Sequence, residues 1–109
     1  MPRSLEPYIA ILEDFLSSRI GQAEFRTRSI DQFSRVDFGV NWANEWGPEV
    51  ADALEQMDGD AEVIYPEAPG ESYITQEQLA NSCGRNLRTL RDAWNRRPQV
   101  SKGSMAPPQ

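Results

Sequence analysis

The chain has 109 residues, no histidine, one cysteine, and no lysine or arginine anywhere between Val36 and Gly84. Each absence excludes something. Without histidine, the commonest general base and metal ligand near neutral pH is missing. A lone cysteine, Cys83, rules out an internal disulfide and fits a reducing compartment. No CxxC, HExxH, P-loop or GxGxxG pattern occurs, so the usual metal, redox and nucleotide signatures are missing. There is no apolar run of bilayer length, and Met1-Pro2-Arg3-Ser4 lacks the apolar core of a secretion signal. The expectations are a cytoplasmic protein, no membrane association, no cofactor, no metal and no enzymatic activity.

What is present is charge, unevenly placed. Residues 36–84 hold Asp37, Glu45, Glu49, Asp52, Glu55, Asp58, Asp60, Glu62, Glu67, Glu71 and Glu77, eleven of the seventeen acids. The bases lie on either side, in 3–35 and 85–102. Such segregation costs stability through self-repulsion, and a focused negative field speeds encounter with cationic partners. The functional reading is an acidic docking surface for a basic protein; the plain reading is a solvated face of an acidic protein. A formal charge of −6 argues against general binding to nucleic acid or membrane surfaces.

Periodicity predicts helices throughout. In 5–19, Tyr8, Ile11, Leu12, Phe15 and Leu16 recur at three-and-four spacing, with Ser4 as the expected N-cap. Gln22 to Ser34 reads as a second helix with Phe25, Ile30 and Phe33 on its apolar stripe. Val36 to Gly47 shows a weak alternation at Phe38, Val40 and Trp42 that allows a strand, but it favours a loop leading into a short helical turn, because Gly39, Asn41 and Asn44 are poor strand residues. Pro48 suits the first position of a third helix, whose buried face is Val50, Ala53, Leu54 and Met57, and Asp58-Gly59-Asp60 is expected to break it. Glu62 to Ser72 reads as an ordered acidic loop. Thr75 and Gln78 form a capping box that opens a last helix carrying Leu79, Cys83, Leu87, Leu90 and Trp94, which Pro98 stops. The expected fold is all-α: a small antiparallel four-helix bundle over residues 4–97, with an acidic loop between helices three and four. Residues 98–109 are expected to form a disordered tail.

Two chemical possibilities are weak. Asp58, Asp60 and Glu62 alternate like the start of a calcium loop, but the ligand series does not continue. Cys83 falls on an apolar stripe and reads as a core residue. The segment Gln76 to Arg97 offers a second functional reading as a helix-turn-helix. There Ala80 would pack between helices, Gly84 would turn, and Arg85, Arg88 and Arg91 would meet phosphates. A helical adaptor for some other basic protein is the third reading.

The order of features also resembles a known family. Tyr8, then Leu12-Glu13-Asp14-Phe15-Leu16-Ser17, then Ile20-Gly21-Gln22-Ala23-Glu24-Phe25 and Phe33, is similar to the opening of the self-protective colicin-like immunity proteins. These include the colicin D and contact-dependent growth-inhibition types. Val50 to Asp58 resembles that family's third helix, Tyr65-Pro66 its "Y-x-P" stretch, and Tyr73 to Leu79 the start of its last helix. The sequence departs at Ser29, where a large aromatic is expected, and at Gly84, which falls in a helix that is usually unbroken.

The resemblance implies a bundle that binds the nuclease domain of a cognate bacterial toxin, often a tRNase, and blocks its basic active site. The expected toxin-binding residues are Trp42, Trp46, Glu49, Asp52, Glu55, Asp58, Asp60, Glu62, Tyr65, Glu67 and Glu71. The acids would imitate nucleic-acid charge, and an aromatic among Trp42, Trp46 and Tyr65 would anchor the contact. The protein itself is expected to be a monomer or weak dimer.

Overall fold

In the computed structural model, residues 3–36, 41–64 and 74–96 are described. Among them the chain is all-helical, with five helices: α1 (Glu6–Leu16), α2 (Gln22–Ser34), α3 (Trp42–Trp46), α4 (Pro48–Glu62) and α5 (Gln76–Asn95). The expected loop centre at Tyr65, Glu67 and Glu71 and the expected tail lie outside the described residues.

α1 starts where Ser4 Oγ accepts from the Glu6 backbone N–H at 3.1 Å. The helix cap itself is Leu5, which offers no side-chain bond. Ser18 closes the first hairpin at φ 66°, left-handed backbone that costs a residue with a Cβ about 1–2 kcal/mol. This turn lets Arg19 and Ile20 donate back to the Asp14 carbonyl at 2.9 and 3.3 Å. Leu16, expected on the buried face, is instead 37% exposed, and Ile9 takes a place in the core. At the other sharp corner, Gly47 has φ 97° and joins α3 directly to α4, with Pro48 at the first helical position.

The expected break in α4 does not occur, nor does the turn that the helix-turn-helix reading placed in α5. Asp58-Gly59-Asp60 stays helical within α4, and α5 runs through Gly84 as a single 20-residue helix. The reason is packing. Met57 and Ala61, which flank Gly59, and Cys83 and Leu87, which flank Gly84, are all buried. Burial of that size outweighs the roughly 1 kcal/mol that a glycine costs in a helix interior. The helix-turn-helix reading needed a turn at Gly84, and the continuous α5 removes it.

α4 packs on α5, α2 and α3, and α1 packs on α5 and α2. Leu5, Tyr8, Leu12, Phe25, Leu54, Met57, Ile64, Leu79 and Leu90 meet in one core. The expected capping box is present: Thr75 Oγ accepts from the Gln78 N–H, and Gln78 Oε1 accepts from the Thr75 N–H. Ser29, the residue at the expected aromatic position, is fully buried, and its hydroxyl has no partner among the described residues.

Candidate functional site

The exposed face of α4 follows from its periodicity. Val50, Ala53, Leu54, Met57, Asp60 and Ala61 turn inward. Glu49, Asp52, Glu55 and Glu62 face solvent, and Asp58 sits half-buried on the flank. At 1.5 Å per residue the stripe from Glu49 to Glu62 is about 20 Å long.

What marks these acids is that they lie unpaired along one helix; Glu6, Glu24, Glu77 and Asp92 also make no ion pair among the described residues, but they are spread over three other helices. Elsewhere, Glu13 pairs with Arg91, Asp14 with Arg19 and Arg28, Asp31 with Arg35, and Glu45 with Arg3. Among the described residues, none of the acids of α4 meets a cationic group. The helix also carries acids and no base in its last turn, at the negative end of its dipole, where acids are unfavourable. Burial, followed by the nearby Glu62 carboxylate, raises the Asp58 carboxyl above its ordinary value.

Asp60 is placed otherwise than its membership of an acidic surface requires. It is only 4% exposed. One carboxylate oxygen accepts from Gln56 Nε2 at 2.9 Å and the other from Ser82 Oγ at 2.5 Å. Asn86 Nδ2 lies 3.5 Å from the same hydroxyl. Both Ser82 and Asn86 are buried on α5, so Asp60 belongs to a polar seam between α4 and α5. The physical reason is register: position 60 falls beside Ala61 and one turn from Met57, on the inward face. Polar residues recurring inside the apolar stripe of α5, at Ser82 and Asn86, were the available signal.

The seam opens into a cleft of about 420 Å³, with Gly59 and Asp60 on one wall and Gln78, Ser82 and Arg85 on the other. Sequence reasoning did not bring these residues together.

Trp42 and Trp46 are half-buried and engaged internally. Trp42 meets Tyr8 edge-on at 5.6 Å. Trp46 packs on Trp94 at 5.8 Å and donates its indole N–H to the Arg3 carbonyl at 2.9 Å. Together they hold α3 and the segment at Arg3 against α1 and α5.

Cys83 is fully buried, and burial followed by the Asp60 carboxylate pushes its thiol up to about 12, which disfavours the nucleophilic thiolate. No group of three or more His, Cys, Asp or Glu able to hold a metal exists among the described residues. No described helix is long and apolar enough to cross a membrane.

Comparison with protein-family models, with curated proteins and with solved structures finds no match.

Proposed function

We propose that the chain is a protein inhibitor of a basic partner, of the immunity type, which docks through the exposed acids of α4. In this reading the four longer helices form an antiparallel bundle whose role is to present that face. One observation carries it: Glu49, Asp52, Glu55 and Glu62 are exposed without internal counter-ions along a single helix in a segment that has no base, whereas outside α4 the unpaired acids Glu6, Glu24, Glu77 and Asp92 are scattered over three helices and Glu13, Asp14, Asp31 and Glu45 are each paired with an arginine. Four unpaired carboxylates along one helix repel one another by about a few tenths of a kcal/mol per neighbouring pair. A basic partner converts that cost into attraction. A nuclease active site fits, because it must hold phosphates and is therefore cationic. The exposed acids would chiefly raise the association rate and make it fall with salt. The resemblance to the colicin-like immunity proteins supports the same partner class.

The test uses a variant that reverses Glu49, Asp52 and Glu55 to lysine. Asp60 is left alone because its burial makes reversal a folding defect. Affinity-tagged wild-type protein should capture, from the cell that makes it, a basic protein whose nuclease activity is suppressed in the complex. The variant should keep its helical circular dichroism, bind at least about tenfold more weakly and leave that nuclease active. Undiminished capture and inhibition by the variant near physiological salt would refute the proposal.

A further inference from the structure

The α4–α5 cleft combines three observations that the docking reading does not use. The first is an uncompensated charge. Asp60 is 4% exposed, and both its hydrogen-bond donors, Ser82 and Gln56, are neutral. Among the described residues no cation lies within ion-pair distance of it. A buried carboxylate without a cation is costly, and each oxygen retains a lone pair after its single observed bond.

The second is an opening that packing does not require. Gly59 sits in the helix interior beside Asp60, its φ is not positive, and a Cβ built there meets nothing within 4 Å. Alanine would favour the helix by about 1 kcal/mol. The missing side chain leaves the cleft mouth clear.

The third is the lining. Val63 and Ile74, both half-buried, supply apolar surface to the same cleft, suited to the aliphatic stem of a long cationic side chain.

We infer that the cleft receives one arginine side chain from the docked protein, whose guanidinium pairs with the Asp60 carboxylate beneath Gly59. A planar guanidinium can address both carboxylate oxygens at once, which an ammonium cannot. Arg85, on the opposite wall and exposed, is the like charge that a guest must pass. The source of the guest rests on the proposed docking function; the cleft's chemistry does not.

The experiment is titration of the ¹⁵N-labelled full chain with acetyl-Gly-Arg-Gly-amide, followed by amide chemical shifts. The expected result is saturable shifts centred on Gly59, Asp60, Ser82 and Arg85. The citrulline peptide, of the same shape without the charge, should bind about tenfold more weakly. Asp60→Asn should abolish the response, and Arg85→Gln should strengthen it by removing the like charge. Gly59→Phe, whose Cβ meets nothing within 4 Å, should also abolish it while keeping the wild-type amide spectrum away from the cleft, so the result does not hang on the Asp60 variant folding. Free arginine, whose α-ammonium Arg85 repels as its carboxylate is attracted, should bind no better than the blocked peptide. Tighter binding of free arginine that Arg85→Gln removes would mean a zwitterion site and overturn the inference. So would equal binding of the citrulline peptide, survival of the response in Gly59→Phe, shifts confined to Glu49, Asp52 and Glu55, or no saturable shift at all. The triple reversal of Glu49, Asp52 and Glu55 should leave the peptide shifts at Gly59 and Ser82 in place. A failed docking face and a failed cleft are thereby told apart.

Discussion

The Ser82 hydroxyl donates to the Asp60 carboxylate at 2.5 Å across the boundary between α4 and α5. Both residues are buried, so this bond fixes the axial register of the two helices and gives one carboxylate oxygen a hydrogen-bond donor. Ser82→Ala leaves the carboxylate with Gln56 alone, and should destabilise the protein by about 1–3 kcal/mol. Urea unfolding would measure it. The double variant with Asp60→Ala should cost less than the sum of the two single changes, because the alanine at 82 no longer strands a carboxylate.

Gly47 stands where the backbone asks for glycine, but two other positions reverse that match. Ser18 holds φ 66°, and Gly84 lies inside α5 with open space where a Cβ would go. Ser18→Gly should stabilise the fold by about 0.5–1 kcal/mol through relief of left-handed strain. Gly84→Ala should add a similar amount, about 0.5–1 kcal/mol, through helix propensity and a less flexible unfolded chain. Thermal melts of the two variants check both signs. A loss of stability in Gly84→Ala would mean that the helix needs flexibility at that point.

The two perturbed aspartates should respond to pH in opposite senses. Asp58 has its carboxyl raised by burial and then by Glu62, so its protonated form is the one the fold favours. Its contribution is present below the ordinary carboxyl value and is lost as pH rises through the raised one. Asp58→Asn should therefore raise the melting temperature near neutral pH and approach wild type in acid. Asp14 is held low by the Arg28 hydrogen bond first and that of Arg19 second. Its contribution is present above the ordinary value and is lost as pH falls through the lowered one. Asp14→Asn should flatten the acid limb of the melting curve. Melting temperature against pH for the two variants gives both slopes.

Cys83 should be chemically silent in the native protein. With the thiol pushed up to about 12 and the side chain fully buried, an aromatic disulfide reagent at mildly alkaline pH should find no reactive group. Full reaction should follow unfolding in guanidinium. Rapid native-state reaction would show that α5 opens locally around this residue.

The longer helices were legible because each carries a strong apolar repeat, and α5 also carries a capping box that a reader can see in Thr75 and Gln78. Their limits were less so. Asp58-Gly59-Asp60 and Gly84 both look like breaks when judged locally, yet burial of Met57, Ala61, Cys83 and Leu87 carries the helices through them. The acidic stripe was legible in part. Spacing put Glu49, Asp52 and Glu55 on one face, but it could not reveal that Asp60 turns inward to Ser82, since that bond joins residues 22 apart in sequence. Trp42 and Trp46 were visible as bulky side chains; only their contacts with Tyr8, Trp94 and the Arg3 carbonyl show where they are spent.

The amino-acid order by itself determined the helices of the described segments and a long segment without positive charge, because helix periodicity and charge are properties of neighbours along the chain. Tertiary structure decided which acids keep their charge exposed, which one is enclosed, and that an open cleft lies beside it. Those outcomes depend on which face of α4 meets α5, and that is set by side-chain packing between segments distant in sequence.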